Sequence, residues 1–510
     1  MTSSSPVPAA ASGADPAVRS NSGSSADALT NSPSDSPIGS APGVAASASR
    51  SRGTWLILVL ACACQFMVIL DASIVNVALP SVRSELGFTA TGLAWVVNGY
   101  LLSFAGFMLV GGRAADLFGH RRMLVAGLAV FSAASLAGGL ADTPGLLVGA
   151  RIVQGVGAAV MAPATLAVLN TAFGEGPERA RAFGAWAAAG GVGGMAGALA
   201  GGALTTGLSW RWVFLINVPI GAVLIAVALA ALSGARPART SSLDLLGAST
   251  GTAGLAALIC GVMQGTDHGW TSAYVLAPIA AGLLLLVGFL AVEARFAARP
   301  MLPLRLFGLR GVAVGNVMLL LFGGIAIAMW YFTSLFLQNV LGYSALRAGL
   351  GQTPAAVAFM LVAGRSAALL PRTGVRPLVL SGAACFVAGF GWLSFADAGS
   401  SYFADILGPT LLIAAGIGLT FPTLMAVATA EVPDGDAGTA GGLANTASQV
   451  GSSLGLAALA TAAAARADRE SLADTPSALA LGYDLVFLVA AALALAIAAA
   501  SLLLPGKTGD

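Results

Sequence analysis

Apolar residues in this chain run in long unbroken stretches, not in the alternation that marks half-buried strands. Fourteen stretches follow one another, near 55–80, 92–112, 122–141, 145–170, 182–206, 212–232, 244–263, 274–293, 312–337, 347–370, 377–396, 404–429, 437–463 and 480–504. Each is about 20 residues or longer, the length an α-helix needs to cross a bilayer core. No water is present there to satisfy free backbone groups, so spanning segments are helices or closed barrels. Barrel strands would alternate over about 10 residues, and these stretches do not. The pattern predicts an all-α polytopic membrane protein with fourteen transmembrane helices.

Composition strengthens this reading. The 510 residues are 57% hydrophobic and 9% charged, with mean hydropathy +0.87; soluble domains carry about 25% charged residues. A net charge of +2 names no partner, and nothing points to nucleic acid. Only Lys507 among 24 basic residues is lysine. That bias, with abundant Ala and Gly, fits a GC-rich bacterial genome. Cys62, Cys64, Cys260 and Cys385 all fall in apolar stretches and read as small apolar side chains. With His120 and His268 as the only histidines, neither a metal site nor a disulfide framework is expected.

Residues 1–52 are rich in Ser, Ala, Pro, Gly and Asp and predict a disordered cytoplasmic tail. The tail lacks the basic start and short apolar core of a signal peptide. With an inside N-terminus, thirteen arginines fall in cytoplasmic loops: Arg113, Arg121, Arg122, Arg179, Arg181, Arg236, Arg239, Arg295, Arg299, Arg305, Arg310, Arg372 and Arg376. Five fall outside: Arg83, Arg211, Arg347, Arg466 and Arg469. The positive-inside rule selects this orientation, with both termini cytoplasmic. The acidic loop with Glu431, Asp434 and Asp436 runs against it, but acids count little in that rule.

The loop Gly112–Arg122 has a looser echo from Gly364 to Arg376. The echo predicts two six-helix halves, 53–232 and 311–504. Between them, 233–310 holds two inserted transmembrane helices with cytoplasmic loops, and 505–510 is a cytoplasmic tail. A site at the bilayer midplane between two repeats fits such a transporter.

Asp71 stands out within Leu70-Asp71-Ala72-Ser73-Ile74-Val75-Asn76-Val77-Ala78-Leu79-Pro80. A charge at mid-bilayer depth costs roughly 2.5–3.5 kcal/mol on insertion scales, so an intramembrane Asp marks a functional site by default. A carboxyl that alternates between wet and dry surroundings can load a proton on one side and lose it on the other. The rival reading is a fixed Asp71 bonded to Asn76 or Arg151. In the loop Gly112–Arg122, Gly112 and Gly119 allow a tight bend. Asp116 can accept from a helix N-terminus or an Arg, and Arg121 and Arg122 can anchor anionic lipid headgroups. The loop is either a conformational latch or a basic loop that obeys topology. Helix five carries Gly197, Gly201 and Gly202 in a run of small residues suited to close packing and bending. A nucleotide loop is rejected there, since no strand precedes the glycines. Candidate cavity residues are Gln65, Asn76, Trp95, Asn98, Tyr100, Gln154, Trp186, Asn316, Tyr331, Gln338, Asn445 and Gln449. Each could equally be packing or interhelical glue, and Trp95 and Trp210 could be interface anchors.

Several of these stretches resemble the major facilitator superfamily, in its fourteen-helix drug:proton antiporter branch. The Gly112–Arg122 loop looks like its signature loop, and the Asp71 stretch like its first-helix motif. Trp210-Arg211-Trp212-Val213-Phe214-Leu215-Ile216-Asn217-Val218-Pro219-Ile220-Gly221 resembles the start of its sixth helix. Leu337–Ser344 and Asn445–Gly451 resemble motifs of helices nine and thirteen. The resemblance covers residues 55 to 504. It implies the major facilitator fold and a cavity position and proton-coupling role for Arg151, in Arg151-Ile152-Val153-Gln154-Gly155-Val156-Gly157. Helix five departs from the branch, with Ala198 where proline follows the glycine.

The expected function is proton-driven export of hydrophobic drugs or antibiotics by alternating access. It would need no cofactor beyond the proton gradient, in a monomer in the bacterial plasma membrane. Proton-coupled import of a small metabolite is the alternative. No nucleophile–base pair or metal cluster supports an enzyme. With Asp71 the only deep acid expected in helices one to six, and none in nine to fourteen, neutral, anionic or monovalent substrates are favoured.

Overall fold

A computed structural model of the protein describes residues 42–173, 177–232, 245–295, 304–430, 432, 437–467 and 475–504. The expectations for residues 1–41 fall outside these, as do those for Arg236, Arg239, Arg299, Arg469, Glu431, Asp434, Asp436 and Lys507. The side chains of Arg113, Asp116 and Arg179 also lie outside the described set. Residues Arg50–Asp510 form one compact unit.

Twelve described helices are long and apolar enough to cross a membrane, and two further apolar stretches, Gly92–Met108 and Ser249–Met263, are shorter. In chain order they are α1 (Pro42–Leu86), α2 (Ala90–Phe118), α3 (His120–Gly139), α4 (Pro144–Ala172) and α5 (Pro177–Gly207). Next come α6 (Trp212–Ala231), α7 (Leu245–Met263), α8 (Ala273–Arg295), α9 (Arg310–Val340) and α10 (Ala345–Thr373). The last four are α11 (Val375–Leu393), α12 (Tyr402–Ala430), α13 (Ala437–Ala467) and α14 (Pro476–Ser501). They coincide with the fourteen apolar stretches, and no strand occurs among the described residues. Two boundaries differ: the expected loops Gly112–Arg122 and Gly364–Arg376 are helical except at the single turn residues Gly119 and Gly374, and α1 begins at Pro42, within the expected disordered tail. Proline is tolerated in a first helical turn, and the Ala-rich residues after it favour helix.

The two halves share a frame. Leu86-Gly87-Phe88-Thr89 joins α1 to α2, and Leu341-Gly342-Tyr343-Ser344 joins α9 to α10. Gly87 has φ 71° and Gly342 φ 65°, values that only glycine adopts freely. Thr89 Oγ1 accepts from Gly92 N at 2.9 Å, and Ser344 Oγ from Arg347 N at 3.3 Å, so each turn ends in an N-cap. Gly119 and Gly374, also at positive φ, form the next matched turns. Arg121, two residues on, donates from Nη2 to Leu229 O at 2.8 Å, at the end of α6. Arg376, two residues after Gly374, donates from Nη2 to Leu502 O at 3.2 Å, and also to Leu504 O, at the end of α14. In each half an arginine thus satisfies the last carbonyls of the sixth helix.

Packing repeats in the same way. α4 packs on α2 and α3, and α3 on α6; α12 packs on α10 and α11, and α11 on α14. Across the halves, α2 meets α13 and α5 meets α10. α7 and α8 pair with each other, and α7 lies against both α2 and α13. Asn98 on α2 ties this junction together: its Nδ2 donates to Met263 Sδ of α7 at 3.6 Å, and its Oδ1 accepts from Ser453 Oγ of α13 at 3.0 Å.

Among the described residues, hydrogen bonds between the halves sit nearer the end that carries Gly87 and Gly342. Ser334 Oγ donates to Asn76 O at 3.3 Å, and Leu346 N to Thr206 Oγ1 at 3.2 Å. Val77, Ala198 and Ala345 close over the same region. A Cβ added to Gly202 would lie 2.6 Å from Leu346 Cα, and one added to Gly349 would meet Ala198 O. This end of the molecule is shut by backbone pressed on backbone.

Gly349→Val should therefore wedge α5 from α10. In a cysteine-free background, disulfide yield between Thr206→Cys and Leu346→Cys should fall several-fold. Gly364→Ala, where an added Cβ meets nothing within 4 Å, should leave the yield unchanged.

Candidate functional site

Four helices converge on Asp71. Gly155 and Gly157 of α4 let α2 and α3 close tightly: a Cβ at Gly155 would sit 2.5 Å from Tyr100 O, and one at Gly157 would sit 2.7 Å from Phe131 N. That approach surrounds Arg151 and Gln154, three apart on one helical face. On α1, Gly193, Gly197 and Gly201 of α5 press against Phe66, Leu70, Ser73 and Ile74. Ser73 Oγ donates to Gly194 O at 2.8 Å. α6 breaks at Ile216, between the short helix Trp212–Leu215 and the longer Asn217–Ala231, which places Asn217 at a helix start. Pro219 follows in the first turn, where proline fits.

The resulting cluster is buried and linked through Asp71 and Arg151. Asp71 is 0% exposed and Arg151 1%. Arg151 Nη1 donates to Asp71 Oδ2 at 2.6 Å and to Gln154 Oε1 at 2.7 Å, while its Nε donates to Val96 O at 2.9 Å. Gln154 Nε2 donates to Asp71 Oδ1 and to Ser135 Oγ, both at 2.7 Å. Asn217 Nδ2 donates to Asp71 Oδ1 at 2.8 Å. The guanidinium lies 4.3 Å from the centre of the Tyr100 ring, a cation–π contact from α2. Both charges are thus met by partners, as a buried pair requires.

This arrangement corrects the expected cavity position of Arg151. It is sealed inside the first half, because its partners come from α1, α2 and α4. Asn217 and Ser135 were not among the candidate residues. The signal for Asn217 was present: it is the one strongly polar side chain in the apolar stretch Asn217–Ala231. Ser135 gave no signal, since a lone serine in a helix usually bonds its own backbone.

The other candidates separate by burial. Asn76, Asn98, Tyr100, Gln154, Asn316 and Tyr331 are buried. Asn316 Nδ2 bonds Val312 O at 2.8 Å, and Tyr331 packs edge-on to Phe332. Gln65, Trp95, Trp186, Gln338, Asn445 and Gln449 keep partial exposure. Gln65 Nε2 would be 3.1 Å from a Cβ at Gly190, so it lies against α5. Trp186 packs on Ala61, Leu169 and Ala182. Gln338 bonds back to Ser334 Oγ at 3.3 Å, and Asn445 and Gln449 share a face of α13.

Trp210 is not an interface anchor. It is 2% exposed, and its Nε1 donates to Glu85 Oε2 at 2.7 Å. Glu85 also pairs with Arg211, whose Nη2 reaches Ala141 O at 3.1 Å, so this knot binds three loops at the closed end. The expectation of no deep acid in helices nine to fourteen also fails. Thr475 caps α14 and Pro476 starts it, which carries Asp484 into the third turn. Its Oδ1 is buried without a hydrogen-bond partner. Of the expected latch, Gly119 makes the turn and Arg121 holds α6, whereas Arg122 is exposed. Gly112 meets only Pro163, at an ordinary 3.6 Å. Gly197 and Gly201 face α1, and Gly202 faces α10.

The Major Facilitator Superfamily family model matches residues 61–456. The chain belongs to the Major Facilitator Superfamily. It is a multi-pass membrane transporter and not an enzyme. Within the superfamily it is 47% identical to the cephamycin export protein CmcT of Amycolatopsis lactamdurans, over 86% of this chain and 90% of that protein. It is 39% identical to the puromycin resistance protein pur8 of Streptomyces alboniger, over 78% and 79%. A crystal structure of an auto-inhibited POT family peptide transporter superposes with TM-score 0.65 at 15% identity, covering 90% of this chain and 99% of that one. At that identity the likeness shows the fold alone. The antiporter-branch motifs accordingly sit in a superfamily frame, with the Asp71 cluster in its first half.

Because each charge of the pair relies on the other, Asp71→Ala or Arg151→Met should each lower stability by roughly 3–5 kcal/mol. Asp71→Leu combined with Arg151→Met should cost clearly less than the two single changes together. Thermal unfolding in detergent measures both; strict additivity would show that the two side chains act independently.

Proposed function

We propose that this protein exports antibiotic-like hydrophobic small molecules across the bacterial plasma membrane, by alternating access and in exchange for protons. Its close similarity to proteins named for cephamycin export and puromycin resistance carries this reading. No observation favours the import alternative. The arginine distribution supports cytoplasmic termini, and with that orientation the shut end faces outward and the structure is inward-facing.

In this reading Asp71 is the proton carrier. Three donors surround its carboxyl oxygens in the inward-facing state. Loading a proton from outside requires the cage to loosen as the bundle rearranges. Energy comes from the proton gradient alone, and the working unit is a monomer in membrane lipid, with exposed Arg122 at the headgroups. Drug recognition falls to the part-exposed, uncharged Gln65, Trp95, Gln338, Asn445 and Gln449. Such a lining suits neutral or singly charged amphipathic molecules.

A susceptibility panel in a pump-deficient bacterial host tests the reading. Wild type should raise the inhibitory concentration of at least one cephamycin-like or puromycin-like compound several-fold, and Asp71→Asn should return it to the empty-vector level. Inside-out vesicles acidified within should accumulate that compound. Accumulation driven instead by an alkaline interior would overturn export in favour of import.

A further inference from the structure

Asn217 has one feature that the proton-carrier reading leaves unused. An ionised carboxylate only accepts hydrogen bonds, so the Asn217 amide nitrogen must face Asp71. Its Oδ1 is then left buried with no hydrogen-bond partner, on a side chain that is 0% exposed. An unsatisfied buried oxygen costs about 1–3 kcal/mol, so its persistence asks for a reason. No other carboxamide of the cluster has this spare acceptor. Gln154 Oε1 is taken by Arg151, and Gln154 Nε2 serves both Asp71 and Ser135.

We infer that Asn217 is the positioning residue that lets one buried site hold Asp71 in both protonation states. With Asp71 ionised, Nδ2 donates to the carboxylate, as observed. When Asp71 takes a proton from water, the new O–H needs an acceptor. Half a turn of the Asn217 carboxamide presents Oδ1 to it, and release of the proton to water on the other side reverses the turn. On loading, an O–H bond of hydronium breaks as the Asp71 O–H forms; on release the Asp71 O–H breaks and an O–H of hydronium forms. The inference rests on Asp71 being the proton carrier. The ionisable groups that face Asp71 are Arg151 from α4 and Tyr100 from α2. α3 and α6 present the uncharged Ser135 and Asn217, and α5 presents the backbone of its glycines.

The test needs no substrate. Purified protein in lipid nanodiscs is titrated while the C=O stretch of protonated carboxyl is followed in the infrared. The Asp71 band is assigned by its loss in Asp71→Asn. Asn217→Leu keeps the volume but removes the donor to the ionised form, so the carboxyl should keep its proton to higher pH. The midpoint should rise by roughly one pH unit or more. The band should also move to the frequency of a carboxyl without an acceptor. Asn217→Thr, which can both donate and accept, should stay within a few tenths of a unit of wild type. If Asn217→Leu does not fold, Asn217→Asp takes its place: a second carboxylate should raise the midpoint further. A folded Asn217→Leu, or Asn217→Asp in its place, with wild-type midpoint and band position overturns the inference, as does Asn217→Thr shifting as far as that variant. If Asp71→Asn leaves the titration unchanged and still couples protons to transport, the proton-carrier reading itself fails. If Asp71→Asn removes coupling while the Asn217 variants titrate as wild type, only the present inference falls.

Discussion

A carboxylate in the interior of an apolar bundle forces its surroundings. Asp71 cannot be hydrated, so the protein must supply donors, and it draws them from α4 and α6 while α3 supports them through Ser135. The guanidinium needs acceptors in turn, which brings in Val96 on α2. The glycines of α4 and α5 exist in this context because the donors must come within hydrogen-bond reach of α1. One electrostatic requirement thereby fixes the spacing of most of the first half.

The second half repeats the frame without the charge. Ala326 stands as many residues before the Gly342 turn as Asp71 stands before the Gly87 turn. Where the first half has a polar cluster, the second has linked aromatic rings: Tyr331, Phe332, Tyr483, Phe336, Phe487 and Phe390 follow one another at centroid separations of 4.9 to 6.3 Å. In the same stretch α9 widens into two π-helical turns, Ala328–Phe332 and Phe336–Val340. Such turns often accompany functional sites. The two halves therefore differ in character, with a buried ion pair at the centre of one and linked aromatic rings in the other.

The number and type of elements could be read from the chain because bilayer thickness imposes a minimum run of apolar residues. The pairing of Asp71 with Arg151 was legible for a related reason: two isolated charges at that depth have few other ways to be tolerated. The matched turns were partly legible through glycine and arginine. Faces were not. In a membrane helix both lipid and protein neighbours are apolar, so helical periodicity does not separate Asn98 at a junction from Gln338 bonded to its own helix. Trp210 misled for the same reason, since an interfacial and a buried tryptophan look alike beside a loop. Asp484 was missed because the apolar run starts later than the Thr475–Pro476 cap that begins the helix.

The shut end of the molecule is a seam of Ala198, Gly202, Ala345 and Gly349 with few large side chains. Such residues have no rotamers to lose when they are pressed together. Closing the seam therefore costs little side-chain entropy, and opening it releases little. Its free energy comes mainly from dispersion between backbones, which falls away steeply with separation. A contact of that kind behaves as a snap fastener: it holds firmly over a few tenths of an ångström and lets go without a long tail of resistance. A transporter built on it can hold each state distinctly and still cross between them on the modest difference in binding that a single substrate or proton supplies.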